Sequence, residues 1–362
     1  VPFADELIGR PAVDGLADVM RRVAPERDWS PLELAARRLE DLGLSDRARA
    51  VGGALLEGLP SDVDAAELLL DAALAEDDFT GWVIWPVTEA VARLTSNSEP
   101  RRFDQGLGML MRLTPRLSSE FALRHFLNHD LERTLDHALR WTRSPDEHVR
   151  RLASEGTRLR LPWARSVPAL QADPAATTGI LDALHRDTSP TVRRSVANHL
   201  NDVSRLDPAL AVATARRWAA DPVATTPAVV RHAMRTLVKQ ADPGALELLG
   251  FGTPEGLDVT GPRLGRDRVA LGEVLDFAVT VTNRTEAETR GGDRLRRPPP
   301  PTPTSWTCSP RATASRTGRP SRASSTRSAG CRWDASRRPR RSPTSWGSSS
   351  RIAPRRSSAP ST

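Results

Sequence analysis

Three copies of one short pattern constrain this chain more than any other feature of it. Val149-Arg150-Arg151, Val192-Arg193-Arg194 and Val230-Arg231-His232 each follow a Ser-Pro or Thr-Pro turn and open an amphipathic stretch, at steps of 43 and 38 residues. That recurrence is close to the roughly 40–47-residue period of HEAT and armadillo units, in which a helix pair buries its apolar face only by stacking on its neighbours. Leu and Ala recur at i, i+3, i+4 through the first 250 residues, as in Leu32, Leu34, Ala35 and Leu39, and in Ala66, Leu68, Leu69, Ala72 and Leu74. Ser30-Pro31, Gly58-Leu59-Pro60-Ser61-Asp62 and Asp221-Pro222 punctuate them. The expectation is an all-α, HEAT-like helical-repeat solenoid over residues 1–252. Stacked along one concave side, Arg150 or Arg151, Arg193 or Arg194, Arg231 and Arg235 would form a cationic stripe. The competing reading makes V-R-R only the ladder that ties neighbouring units together, and spacing alone does not choose.

After Gly250-Phe251-Gly252 the period changes. Leu271 to Asn283 alternates and is rich in branched residues, so it reads as a strand, and residues 253–290 as the start of a small β-sandwich that is cut short. From Gly291 to Thr362 there are sixteen Arg, no Lys and only two acids, Asp293 and Asp334, with almost no Leu, Val or Ile. Such a composition cannot bury a core. Residues 291–362 are therefore either a disordered basic tail or GC-rich DNA read in the wrong frame. The second is preferred, because suitable codons for the segment from Gly291 give a strand-like Val-Val-Ile-Asp-Tyr-Ala-Val in the shifted frame.

The tail also distorts the net charge. The chain carries +7, but the tail alone is +14, so residues 1–290 are −7; within them, residues 1–111 carry −10 and residues 112–250 carry +5. A basic segment inside an acidic body suits a protein with one face toward a polyanion. Both cysteines, Cys308 and Cys331, lie in the tail, which leaves the body without a thiol for a disulfide, a zinc site or a nucleophile. No apolar run approaches the roughly 18 residues of a membrane span, and the N-terminal V-P-F-A-D-E-L lacks an export pattern. A cytoplasmic protein without membrane contact is expected.

The most chemically suggestive stretch is Pro145 to Trp163, P-D-E-H-V-R-R-L-A-S-E-G-T-R-L-R-L-P-W. Arg151, Glu155 and Arg158 stand at i, i+4 and i+7, which places a carboxylate between two cations on one helical face. As exposed pairs on a solvated face they would contribute only about 0–1 kcal/mol. His125 and His129 stand i, i+4 with His137 two turns on, but there is no H-E-x-x-H, and no metal site is expected. Trp82 and Trp85 read as core. No Gly-rich phosphate loop or nucleophile elbow occurs.

Over about residues 1–290 the chain resembles the AlkC-type DNA alkylation repair glycosylases, relatives of the AlkD HEAT-like repeat enzymes. The segments that carry the resemblance are S-S-E-F-A-L-R-H-F-L at Ser118–Leu127, H-V-R-R-L-A-S-E-G-T-R-L-R-L-P-W at His148–Trp163, V-R-R-S-V-A-N-H-L-N-D at Val192–Asp202, and V-V-R-H-A-M-R-T-L-V-K-Q-A-D-P at Val229–Pro243. The resemblance implies that residues 253–290 start an immunoglobulin-like β domain, truncated here, and it implies excision of cationic N-alkylated bases, of the 3-methyladenine and 3-methylcytosine kind, from double-stranded DNA, without a deep base-flipping pocket and without a cofactor. It implies catalytic roles for Glu120 and Glu155, an acidic active-site role for Asp202, a lesion contact for Trp163, and DNA-backbone contacts for Arg151, Arg158, Arg193, Arg194, Arg231 and Arg235. Taken alone, Glu120 could instead be a helix-start residue beside a Ser118 or Ser119 cap, and Trp163 could be core. The single lysine, Lys239, makes a monofunctional glycosylase the expectation, with a non-catalytic HEAT scaffold for DNA or protein as the alternative; a monomer is expected.

Overall fold

In a computed structural model the described residues are 4–251, 257–270, 274–284, 311–312 and 325–334. The chain divides into two units, one over residues 2–253 and the other C-terminal to it. The first is helical throughout, from Ala4–Leu7 to Pro243–Leu248. Of the anticipated punctuation, Ser30-Pro31 opens the helix Ser30–Ala36 and Asp62 caps Val63–Leu74, whereas Asp221-Pro222 follows the end of Pro208–Ala220. Ser189, Asp207 and Asp242 each accept a backbone N–H through the side chain, and each is followed by a proline in the first helical turn. The cap satisfies one of the free amides, and the proline needs none.

The three repeat valines all point into the core: Val149, Val192 and Val230 are 4%, 0% and 3% exposed. Each lies near the start of a helix, in Glu147–Glu155, Pro190–Val203 and Thr226–Ala233. These helices pack on one another in sequence. The first arginine of two copies folds back in the same way. Arg150 Nη1 donates to the carbonyls of Ser144 and Pro145 at 2.9 Å each, and Arg193 Nη1 to those of Asp187 and Thr188 at 2.5 and 2.8 Å. Arg150 also grips the Asp187 carboxylate of the next repeat, with Nε to Oδ2 at 2.6 Å. Arg150 thus ties two units together, whereas these bonds of Arg193 stay within the turn that precedes its own helix. Arg194 and Arg231 are exposed.

The second unit, by itself, is a sheet. Leu257–Leu264 pairs antiparallel with Val274–Asn283, the strand expected from alternation. Ser325–Asp334 lies on the other side of Val274–Asn283 and pairs in turn with Arg311–Ala312. Leu257–Leu264 contains Gly261-Pro262, a pair that ordinarily breaks a strand. The pairing register shifts between Thr260 and Arg263, and that irregularity absorbs the dipeptide. The described residues form one sheet, so the immunoglobulin-like sandwich stays an expectation. Most of the 291–362 tail, with the frameshift reading attached to it, lies outside the described residues.

No helix among the described residues is long and apolar enough to cross a membrane.

Candidate active site

Five ionisable side chains meet where three segments of the repeat unit come together. Glu120 sits in the turn that enters the helix Leu123–His129, Arg151 and Glu155 lie on Glu147–Glu155, Arg158 follows just past its end, and Asp202 lies on Pro190–Val203. Their charges alternate along a chain of contacts. Arg151 Nη1 donates to Glu120 Oε2 at 2.9 Å, and its Nη2 stands 4.0 Å from Glu155 Oε2. Arg158 Nη1 donates to Glu155 Oε1 at 2.7 Å, and its Nε to Asp202 Oδ2 at 2.8 Å. Three carboxylates and two guanidiniums leave the row with one net negative charge. The five side chains are only 8–12% exposed, so the solvated-face alternative does not describe Glu155. Arg151 and Arg158, expected at the DNA backbone, are committed to carboxylates in the free protein.

The helix stops at Glu155, so Arg158 reaches back to the row from a turn rather than along an unbroken helical face. Gly156 makes that turn possible by being small: a Cβ there would lie 2.6 Å from Leu123 Cδ2 and 3.0 Å from the Leu152 carbonyl. Leu123 is fully buried and has nowhere to go. Gly156→Ala is therefore expected to cost about 1–3 kcal/mol by overpacking, more than the up to ~1 kcal/mol that alanine gains in helix propensity. Urea unfolding checks this; a stabilised variant would contradict the close-approach argument.

Hydroxyls and a buried imidazole complete the setting. Ser118 Oγ donates to Glu120 Oε2 at 2.7 Å, so it orients the carboxylate and does not cap the helix. Ser195 Oγ donates to Glu155 Oε2 at 2.7 Å from the neighbouring helix. His199, fully buried, has Nδ1 2.9 Å from the Ser154 carbonyl and Nε2 3.1 Å from Thr177 Oγ1. The carbonyl can only accept, so Nδ1 carries the proton and Nε2 takes the hydroxyl's. Ser195 and His199, one turn apart on Pro190–Val203, thus hold the Ser154-Glu155 end of its helix at two points.

The electrostatics separate two of the acids. Burial opposes ionisation of Glu155, but the charges of Arg158 and Arg151 and the bonds from Ser195 and Arg158 outweigh it, and its carboxyl titrates below the usual range. Asp202 goes the other way. Burial pushes it above the usual range, and the hydrogen bond and charge of Arg158 only partly offset this. Two carboxylates whose environments drive them apart are suited to different roles, one a fixed anion and the other a proton acceptor.

Burial, reinforced by the Arg158 charge, holds the His199 imidazole at about 3, against about 6.5 in an unfolded chain. Below about pH 6.5 the unfolded state binds a proton that the folded state refuses, so this component of stability is complete above that pH and is lost progressively toward pH 3. At pH 5 the loss is about 2 kcal/mol. Urea midpoints taken from pH 7.5 to 5 should show this fall in the wild type and lack it in His199→Gln; equal slopes in the two proteins would overturn it.

Trp163 is presented, not packed. It is 63% exposed and holds φ 65, a left-handed conformation rare for a bulky side chain. Arg160 and Arg165 on either side of it are exposed as well. Further along, Arg235 donates to Asn198 Oδ1 at 3.1 Å and His232 Nε2 lies 2.9 Å from the same oxygen, beside exposed Arg194. Trp85 is core and stacks on Phe121 with ring centroids 4.0 Å apart. Of the three spaced histidines, His125 meets Glu89 at 3.1 Å and His137 meets Asp104 at 2.9 Å, while His129 lies by the Phe103 ring with centroids 5.9 Å apart. Among the described residues no group of three metal-ligating side chains occurs.

Ser195, His199 and Arg124 were missed by reasoning from the sequence. Each is a polar residue at a slot where an amphipathic helix should bury an apolar one, and that mismatch was the available signal.

Comparison with known proteins points the same way as this geometry. No protein-family model matches the chain. It is 36% identical over 257 residues to the uncharacterized protein YhaZ of Bacillus subtilis (strain 168), which covers 70% of each protein. Its structure is similar to that of the Pseudomonas fluorescens alkylpurine DNA glycosylase AlkC bound to DNA containing an abasic site analog, with a TM-score of 0.69, 33% identity, and coverage of 79% of this chain and 78% of that one.

Proposed function

We propose, because the chain belongs to the family of YhaZ and AlkC, that it is a DNA glycosylase that removes cationic N-alkylated bases, of the 3-methyladenine and 3-methylcytosine type, from duplex DNA. The observation that carries this reading is the buried row Glu120, Arg151, Glu155, Arg158, Asp202, whose one surplus negative charge is fixed in a dry setting. Alkylation at a ring nitrogen makes the base a cation and a good leaving group. The glycosidic bond, from C1′ to N9 of a purine or N1 of a pyrimidine, breaks with both electrons going to the base, which departs neutral. Positive charge moves to C1′ and O4′ of the sugar. Glu120 and Glu155 stabilise that charge, and they do so more strongly than water could because they are already oriented and desolvated. Water then adds to C1′ and loses a proton to a carboxylate. Asp202, pushed up by burial, is the better matched acceptor.

Trp163 contacts the damaged nucleotide from its exposed position. The exposed Arg194 and Arg231, with Arg235 and Arg193, meet the sugar-phosphate backbone on either side. Arg151 and Arg158 set the carboxylates and can share a phosphate at the site's edge. Because the lesion's own charge and lability supply selectivity, no deep pocket for a flipped base is required. The only lysine, Lys239, is exposed on Arg235–Lys239, which favours a monofunctional hydrolysis without a Schiff base.

Chromatography of bases released from methylated duplex DNA tests the reading. Release of free 3-methyladenine or 3-methylcytosine by the wild type, leaving uncut abasic sites, is the expected result. Salt-sensitive DNA binding with no release, also after the reading frame beyond residue 290 is restored, would leave a scaffold instead.

A further inference from the structure

We infer that Arg124 and Asn128 are positioning residues, a two-point clamp that holds the 156–166 loop so that Trp163 is presented in one pose. Arg124 is the largest fully buried side chain among the described residues, 1% exposed. Its hydrogen bonds go to main-chain carbonyls: Nη1 to Gly156 at 3.2 Å and Arg158 at 2.6 Å, Nε to Arg165 at 2.9 Å. Burying a guanidinium without a carboxylate in contact is costly, and simple packing would be served better by methionine or leucine. What only arginine supplies is a rigid fork of donors that can grip several carbonyls at once.

One helical turn on, Asn128 Nδ2 donates to the Ser166 carbonyl at 2.9 Å. The two residues stand i, i+4 on one short helix and take hold of both stems of the loop, residues 156 and 158 on one side, 165 and 166 on the other. Between the stems the tip carries Trp163 in its left-handed conformation, with its carbonyl 3.4 Å from Ser45 Oγ. A strained residue persists only where its surroundings over-determine it. The clamp provides that constraint through backbone atoms, so it does not depend on which side chains the loop carries.

The catalytic consequence rests on the glycosylase reading, whereas the mechanical one does not, and the test separates them. Hydrogen exchange of the amides in residues 156–166 should speed up by about tenfold or more in Asn128→Ala and Arg124→Lys, while exchange in Leu131–Trp141 stays at the wild-type rate. In single-turnover base release, Asn128→Ala should be slower by about tenfold with DNA affinity within about threefold, since small misplacements act on rate more than on binding. In a Trp163→Ala background the same substitution should cost nothing further. Unchanged loop exchange in both variants overturns the clamp whatever the activity. An undiminished rate penalty in the Trp163→Ala background overturns its link to Trp163. If the wild type releases no base while exchange responds as expected, the glycosylase reading fails and the clamp stands.

Discussion

Glu155→Gln is expected to slow single-turnover base release by about 10²–10³-fold while DNA affinity changes by less than about threefold. Glutamine keeps the size and can still meet Ser195 and Arg158, so the difference isolates the charge. That charge sits between two guanidiniums and a hydroxyl, each within 4.0 Å. Those contacts hold its carboxyl below the usual range despite burial. The anion is therefore present, and unable to reorient, throughout the pH range of the reaction. Electrostatic stabilisation by a group that needs no reorganisation is the largest effect one side chain can supply here. Quench-flow or gel-based single-turnover assays, with affinity measured on an uncleavable duplex, check it. A variant that keeps more than a third of the wild-type rate would remove Glu155 from the mechanism.

Arg158→Met should be the most destabilising single change at this site, at about 3–5 kcal/mol. Arg158 is the cation shared by Glu155 and Asp202, at 2.7 and 2.8 Å, and both carboxylates are buried. Its own protonated form is strongly favoured there: burial opposes it, but hydrogen bonds and charge from Asp202 and Glu155 more than compensate. Without it two buried anions lose their common partner. The sign of the pH dependence follows. In the wild type the lowered carboxyl of Glu155 contributes stability above its unfolded value of about 4.3, which is lost as pH falls through the folded value. In Arg158→Met the carboxyls titrate higher, and protonation relieves the repulsion. The deficit relative to wild type should therefore shrink between pH 7.5 and pH 5 in urea titrations. A deficit that is constant across that range, or below about 1 kcal/mol, would mean the row is a surface-like pairing of little energetic weight.

Particular residues show how far reasoning from sequence reached. Val149, Val192 and Val230 were legible because a buried slot repeated at a solenoid period needs no tertiary information. Val274–Asn283 was legible by alternation, whereas Leu257–Leu264 carries Gly261-Pro262, which breaks the strand pattern and which only a register shift in the pairing accommodates. Glu120, Asp202 and Trp163 were marked by motif resemblance, not by any local rule, whereas Glu155 was also marked by its helical spacing from Arg151 and Arg158. Taken locally, Trp163 had a core reading, and its 63% exposure runs against it. The V-R-R arginines were ambiguous for a physical reason: the first arginine's carbonyl targets lie five and six residues back, a distance no helical periodicity encodes.

The sequence by itself determined which slots are apolar, where helices begin, and that one carboxylate lies between arginines near a tryptophan, since all of these are set by neighbours within a turn or two. Only the tertiary structure decided that Glu120 meets Arg151, that Ser195 and Asp202 arrive from the next repeat, that Arg124 grips the stems of the tryptophan loop, and that the whole row is largely buried. Those contacts join residues 31 to 44 positions apart. Their strength comes from exclusion of water by the packed helices around them, and no single segment of the chain can exclude water alone.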